Sequence, residues 1–129
     1  MLDQSDLKLL EAARLIIRAR FEAGRHHVGA GLRTTTGAVF SAVHLEASVG
    51  RVAVCAEAIA LGMAVAAGGG SIVTIVAVDR DGNVIAPCGI CREMIGDYSP
   101  DASVVIACGE RLRLASIGEL LPFKGNASD

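Results

Sequence analysis

Apolar positions recur at helical spacing near the start of the chain: Leu10, Ala13, Ile17 and Phe21 share one face, while Lys8, Glu11, Arg14 and Arg18 take the other. Asp3 or Ser5 can cap this helix, and Gly24 can end it, so it should run to about Ala23. Two extended segments follow, Val28–Thr34 and Ala38–Leu45, joined by a Thr36-Gly37 turn that predicts a hairpin. Val54–Ala67 reads as a second helix, stopped by Gly68-Gly69-Gly70. It is apolar almost all round and should be buried on most sides. Ile72–Asp79 is a β-branched run suited to a central strand covered on both faces. A turn at Asp79–Asn83 leads to a short strand ending at Pro87, and a third helix should run from near Cys88 to about Tyr98. Strands at Ser103–Ala107 and Leu112–Ala115 and a helical turn at Ile117–Leu121 complete the order. Alternating strands and helices of this kind imply an α/β fold with a mixed sheet and helices on its faces. With no repeat, linker or low-complexity tract, residues 1–129 are expected to form one domain.

Composition adds one expectation. The chain is 52% hydrophobic but only 3% aromatic, with no Trp, and its mean hydropathy is +0.50. So much small apolar surface is hard to hide in a monomer of 129 residues, which suggests a homo-oligomer. A net charge of −2 provides no basic footprint, so a nucleic-acid polymer is not expected as partner. The N-terminus lacks the basic-then-apolar order of a signal peptide. The apolar stretch Val52–Val78 is interrupted by Glu57 and three glycines, short of the roughly 20 residues a membrane span needs. The expected location is the cytoplasm, where four cysteines point to metal or redox chemistry rather than disulfides.

The chemistry begins at Glu57, the single charged residue between Val52 and Val78. A lone carboxylate on a buried helix is costly unless something binds it or it does work. The alternative is a partly exposed acid in a first helical turn, favoured there by the dipole. Cys55 stands two residues earlier, and Cys88 and Cys91 occupy another strand-to-helix junction. Thiolates are stabilised at helix N-termini, so two helix starts aimed at one point could gather three of them around a divalent ion. Three protein ligands leave a fourth tetrahedral position open, which marks a catalytic rather than a structural zinc. Arg92 could add positive field beside such a site.

Cys55-Ala56-Glu57 followed by Pro87-Cys88-Gly89-Ile90-Cys91 resembles the three-cysteine zinc deaminase signature. Together with Val28-Gly29-Ala30 and Glu119-Leu120-Leu121-Pro122 it is similar to the small cytidine deaminases and blasticidin S deaminase, from about Val28 to Pro122. The resemblance implies a three-layer α/β/α domain with a mixed five-stranded sheet, one Zn2+ per subunit, and a homotetramer with shared active sites. It also implies a nucleoside substrate and hydrolytic deamination of cytidine or deoxycytidine, with Glu57 carrying the protons. The Ala56 N–H and Pro87 carbonyl would hold the base edge.

Several positions depart from the family pattern. Cytidine deaminases usually grip the ribose 3′-hydroxyl with an Asn-x-Glu pair, which here becomes His44 and Glu46. His26 stands where an aromatic ring usually stacks near the base, Gly50 replaces a common Tyr, and Gly125 a C-terminal aromatic, with Phe123 offset. These changes leave open another aminated heterocycle or nucleoside, such as blasticidin S. Two other accounts compete: a dithiol redox motif at Cys88 and Cys91, and a closed structural zinc with Cys108 as fourth ligand.

Overall fold

The structure, a computed structural model, describes residues 1–125. Helix α1 spans Gln4–Arg20 and starts with a reciprocal cap. The Asp6 N–H donates to the Asp3 carboxylate at 2.9 Å, and the Asp3 N–H donates to the Asp6 carboxylate at 3.0 Å. The helix stops at Arg20 rather than near Ala23, because Phe21 takes an extended ψ of 130°. Residues Glu22 to His26 then close a tight turn, with Gly24 at φ +77°.

Strands β1 (Gly29–Thr34) and β2 (Val39–Val43) form the expected antiparallel hairpin. A single 3-10 turn at Gly50–Val52 precedes helix α2, Ala56–Ala66, which the sequence pattern had not separated from its lead-in. Strand β3 (Ile72–Val78), the two-residue β4 (Val84–Ile85), helix α3 (Gly89–Tyr98), strands β5 (Ser103–Cys108) and β6 (Arg111–Ser116), and the short α4 (Ile117–Leu120) follow. The sheet order is β2-β1-β3-β5-β6, with β4 also paired to β3. Five strands thus make the continuous path, and β4 is the sixth, continuing the β5 side of β3 at Ala77 and Val78. Among the described residues only the β3–β5 pair is parallel, so the sheet is mixed.

Two apolar layers sandwich this sheet. On one face Leu9, Leu10, Ala13 and Ile17 of α1 pack on Val76, Val78 and Val105. On the other, Ala60, Leu61 and Ala64 of α2 and Cys91 and Ile95 of α3 pack on Leu32, Ile75 and Val104. Burial of each large side chain contributes about 1.5–3 kcal/mol. The first layer needs glycine in β1: a Cβ on Gly29 would lie 2.5 Å from the Ala13 carbonyl oxygen and 2.9 Å from the Ile17 Cβ. Helix α2 differs from the expectation of all-round burial. Its sheet side is buried, but Met63 and Val65 are 43% and 55% exposed, because only one face of the helix meets the sheet within this chain. No helix among the described residues is long and apolar enough to cross a membrane.

Candidate active site

Cys55 and Cys88 each hold the N-cap position of a helix, with extended backbone (φ −67°, ψ 146° and φ −68°, ψ 169°). Cys91 lies in the first turn of α3 and is 1% exposed. The three sulfurs lie within 4.8 Å of one another, with 3.4 Å between those of Cys55 and Cys88. A tetrahedral zinc bound at about 2.3 Å to each sulfur places them about 3.8 Å apart, so the spacing fits that ion.

Burial and mutual proximity set the protonation balance of the trio. Desolvation, then the Cys88 thiol, push Cys55 up. Desolvation and the nearby Glu57 charge push Cys91 up. At Cys88 desolvation is outweighed by hydrogen bonds from the Cys91 backbone N–H, the neighbouring thiols and the Ile90 N–H, which hold it below the usual thiol value. A divalent ion inverts this logic, since coordinating thiols deprotonate outright.

Glu57 occupies the first turn of α2 and is 5% exposed. Burial raises its carboxyl above the ordinary carboxylate range, against a smaller lowering by its own backbone N–H. It shares a cavity of about 190 Å3 with Val28, His44, Ala53, Val54, Cys55, Ala56, Ile85, Ala86 and Cys88. Ala56 is the first residue of α2, so its N–H has no acceptor within the helix. The buried Pro87 presents its carbonyl to Arg92, whose Nε donates at 2.8 Å while Nη1 donates to the Leu120 carbonyl at 3.0 Å. Arg92 therefore ties the loop before α3 to the last turn of α4.

The residues flagged for substrate binding separate. His44 lines the cavity; its Nδ1 accepts the His27 N–H at 2.7 Å, and its Nε2 lies 3.6 Å from a Glu46 carboxylate oxygen. The other Glu46 oxygen accepts from the Ala47 N–H. His26 lies apart: it lines a groove with Ile16, Arg20, Leu45, Ile59 and Met63, and its Nδ1 donates to the His44 carbonyl at 2.8 Å. Gly50 opens the 3-10 turn, and Phe123, at φ +57°, is wholly exposed. Cys108 is exposed at the end of β5 and is not among the three clustered thiols. Val28 belongs to the Val28-Gly29-Ala30 motif, but Ala53, Val54, Ile85 and Ala86 were not singled out as site residues from sequence. Apolar cavity walls carry the same pattern as core, so no sequence signal marks them.

A thiol trio at two helix starts, a buried carboxyl beside it, and an α/β/α sandwich define a zinc-dependent hydrolytic deaminase. Residues 3–108 match the family described as "Cytidine and deoxycytidylate deaminase zinc-binding region", and the chain belongs to that family. It is 49% identical to blasticidin-S deaminase of Bacillus cereus, over 95% of this chain and 94% of that one. Crystal structures similar to it include cytidine deaminase from Burkholderia pseudomallei, at TM-score 0.77 and 32% identity, covering 95% of this chain and 98% of that one. Cytidine deaminase from Mycobacterium tuberculosis aligns at TM-score 0.79 and 26% identity, covering 94% and 97%. The cofactor is zinc, and a purely redox role for the cysteines is set aside.

Proposed function

We propose that this enzyme hydrolyses the exocyclic amine from a cytosine nucleoside, cytidine or deoxycytidine, with Cys55, Cys88 and Cys91 holding the zinc and Glu57 moving the protons. The observation that carries this reading is Glu57 itself, a buried carboxyl in the same cavity wall as Cys55 and Cys88. Bound zinc supplies Lewis acidity that makes water nucleophilic near neutral pH. Glu57 takes a proton from the attacking water, delivers it to ring N3, and later protonates the departing amine. As the C4–O bond forms and the C4–N bond breaks, water and the cytosine ring become uracil and ammonia. A carboxyl whose burial favours the protonated form suits a group that must carry a proton between two transfers.

The remaining walls match a flat heterocycle with a polar edge. Val28, Val54 and Ile85 offer apolar contact. In this reading the Ala56 N–H, on the cavity wall, holds the base edge together with the second lone pair of the Pro87 carbonyl, although Pro87 itself is not among the cavity-lining residues. His44 and Glu46 meet the sugar, and His26 acts behind them through the His44 carbonyl. The reading includes a cytoplasmic homotetramer, supported by Met63, Val65, Met94 and Tyr98 on exposed helix faces. Light scattering on the zinc-loaded protein measures that state.

A second reading is favoured by the 49% identity to blasticidin-S deaminase and by His44 in place of the usual Asn. Here the substrate is a cytosine nucleoside with an altered sugar, of the blasticidin S kind. Ammonia release from cytidine, deoxycytidine and blasticidin S decides between them through the ratio of kcat/KM values. The zinc-loaded Glu57→Gln variant should release ammonia from each at least about a hundredfold more slowly; undiminished release from that variant would overturn the proposed chemistry.

A further inference from the structure

Beyond the thiol site, the structure holds a second organised cluster, of which the proposed reaction draws on His44 alone. Four side chains from three parts of the chain stack toward the cavity. The Arg80 guanidinium lies 4.6 Å from the Phe21 ring centroid. Phe21 stacks on His27 with centroids 5.8 Å apart and planes 30° apart. His27 in turn meets the His44 ring at 5.3 Å. The outer end is exposed, while the His44 side chain is 12% exposed and lines the cavity.

Backbone groups assign the ring protons of His27 and His44 and of the adjoining His26. Gly24 N–H donates to His27 Nε2 at 2.8 Å, so the neutral His27 ring is protonated at Nδ1. The His44 carbonyl can only accept, so His26 carries its proton on Nδ1. His27 N–H donates to His44 Nδ1 at 2.7 Å, which leaves the His44 proton on Nε2. That Nε2–H stands 3.6 Å from the Glu46 carboxylate, too long for a good hydrogen bond between them. At that separation a single hydroxyl oxygen about 2.8 Å from each atom would accept from His44 and donate to Glu46.

We infer that the His27 backbone N–H locks His44 as a donor-only Nε2–H imidazole and that the His27 and Phe21 rings are positioning residues that brace it, so that the sugar side of the cavity selects a nucleoside carrying a hydroxyl at that point. The inference rests on the proposed cytosine-nucleoside reaction. An Asn amide can rotate to offer either a donor or an acceptor, whereas the held imidazole offers only a donor. Selectivity therefore depends on the loop that holds the ring and on the stack that braces it.

The test uses zinc-loaded enzyme with 15N-labelled histidine. Two-dimensional NMR of the ring nitrogens should show His44 as the Nε2–H tautomer without substrate, and a mixed or Nδ1–H signal overturns the lock. His27→Ala keeps the backbone donor but removes the ring brace. It should broaden the His44 signals and raise KM for cytidine several-fold, with kcat and zinc content little changed. Phe21→Leu should act the same way more weakly. Unchanged His44 signals and KM in both variants overturn the positioning role. His44→Ala should shrink the preference for cytidine over its 2′-deoxy or 3′-deoxy analogue by about tenfold, the worth of one hydrogen bond, and an undiminished preference for both overturns the sugar-side role. An enzyme inert toward every cytosine nucleoside overturns the reaction and the sugar-side role together, while the ring spectra still decide the lock on their own.

Discussion

The sulfurs of Cys55 and Cys88 lie 3.4 Å apart across 33 residues of chain, because each cysteine is the N-cap of a different helix and both helices pack on one face of the sheet. That convergence turns two short motifs into one site. It also brings the positive ends of two helix dipoles to the same point, where thiolates are favoured.

Metal content should follow the trio. Wild-type protein is expected to carry one zinc per chain, and Cys88→Ser or Cys91→Ser to lose most of it with activity. Cys108→Ser should keep both, since that thiol stands outside the cluster. Elemental analysis of the purified variants checks this, and zinc loss in Cys108→Ser would revive a closed four-cysteine site. Chelation should also lower Tm, because metal bound to the folded chain alone stabilises it.

Glu57→Gln preserves shape but cannot take a proton. We expect ammonia release to fall by a factor of about 10²–10⁴ or more, the usual scale of general acid–base catalysis. Zinc content should be unaffected, so activity per bound metal is the informative measure.

The raised Glu57 carboxyl has a pH consequence in the metal-free protein. Its folded pKa exceeds the unfolded value of about 4.3. The neutral carboxyl is thus tolerated below that pH, and its contribution to stability is lost as pH rises through the folded value. Metal-free wild type should lose Tm over that interval relative to metal-free Glu57→Gln. Parallel Tm curves for the two proteins would count against a buried, unpaired carboxyl.

Gly29→Ala tests the α1 contact. The new Cβ would sit 2.5 Å from backbone oxygen that cannot rotate away, so the cost should reach or exceed the roughly 1–3 kcal/mol typical of overpacking. Gly31→Ala, with its nearest contacts at 3.2 Å, should cost less. Urea unfolding midpoints rank the two.

Arg92→Lys removes the planar fork that reaches two carbonyls at once. Loss of one or both bonds should destabilise by about 1–3 kcal/mol and loosen the Pro87 loop, visible as a higher KM with zinc retained. An unchanged KM would place Arg92 outside substrate positioning.

Much of this protein was legible along the chain because its signals are local. The thiols and Glu57 stand within a few residues of helix starts, the β-branched run Ile72–Val78 reads directly as a strand buried on both faces, and Asp3 caps α1 through contacts three residues away. Helix boundaries were less legible where long-range partners intervene: α1 stops at Arg20 as Phe21 leaves to stack on His27, and Val54 is drawn from α2 into a bridge with Leu45. The sequence by itself determined which atoms could bind zinc and move protons, since that depends on residue type and helix phase. Tertiary structure alone decided that Cys108 stands apart, that His26 faces a groove while His44 faces the cavity, and which nitrogen of His44 keeps its proton. Those outcomes depend on hydrogen bonds and packing between segments that only the folded sheet and its loops bring together.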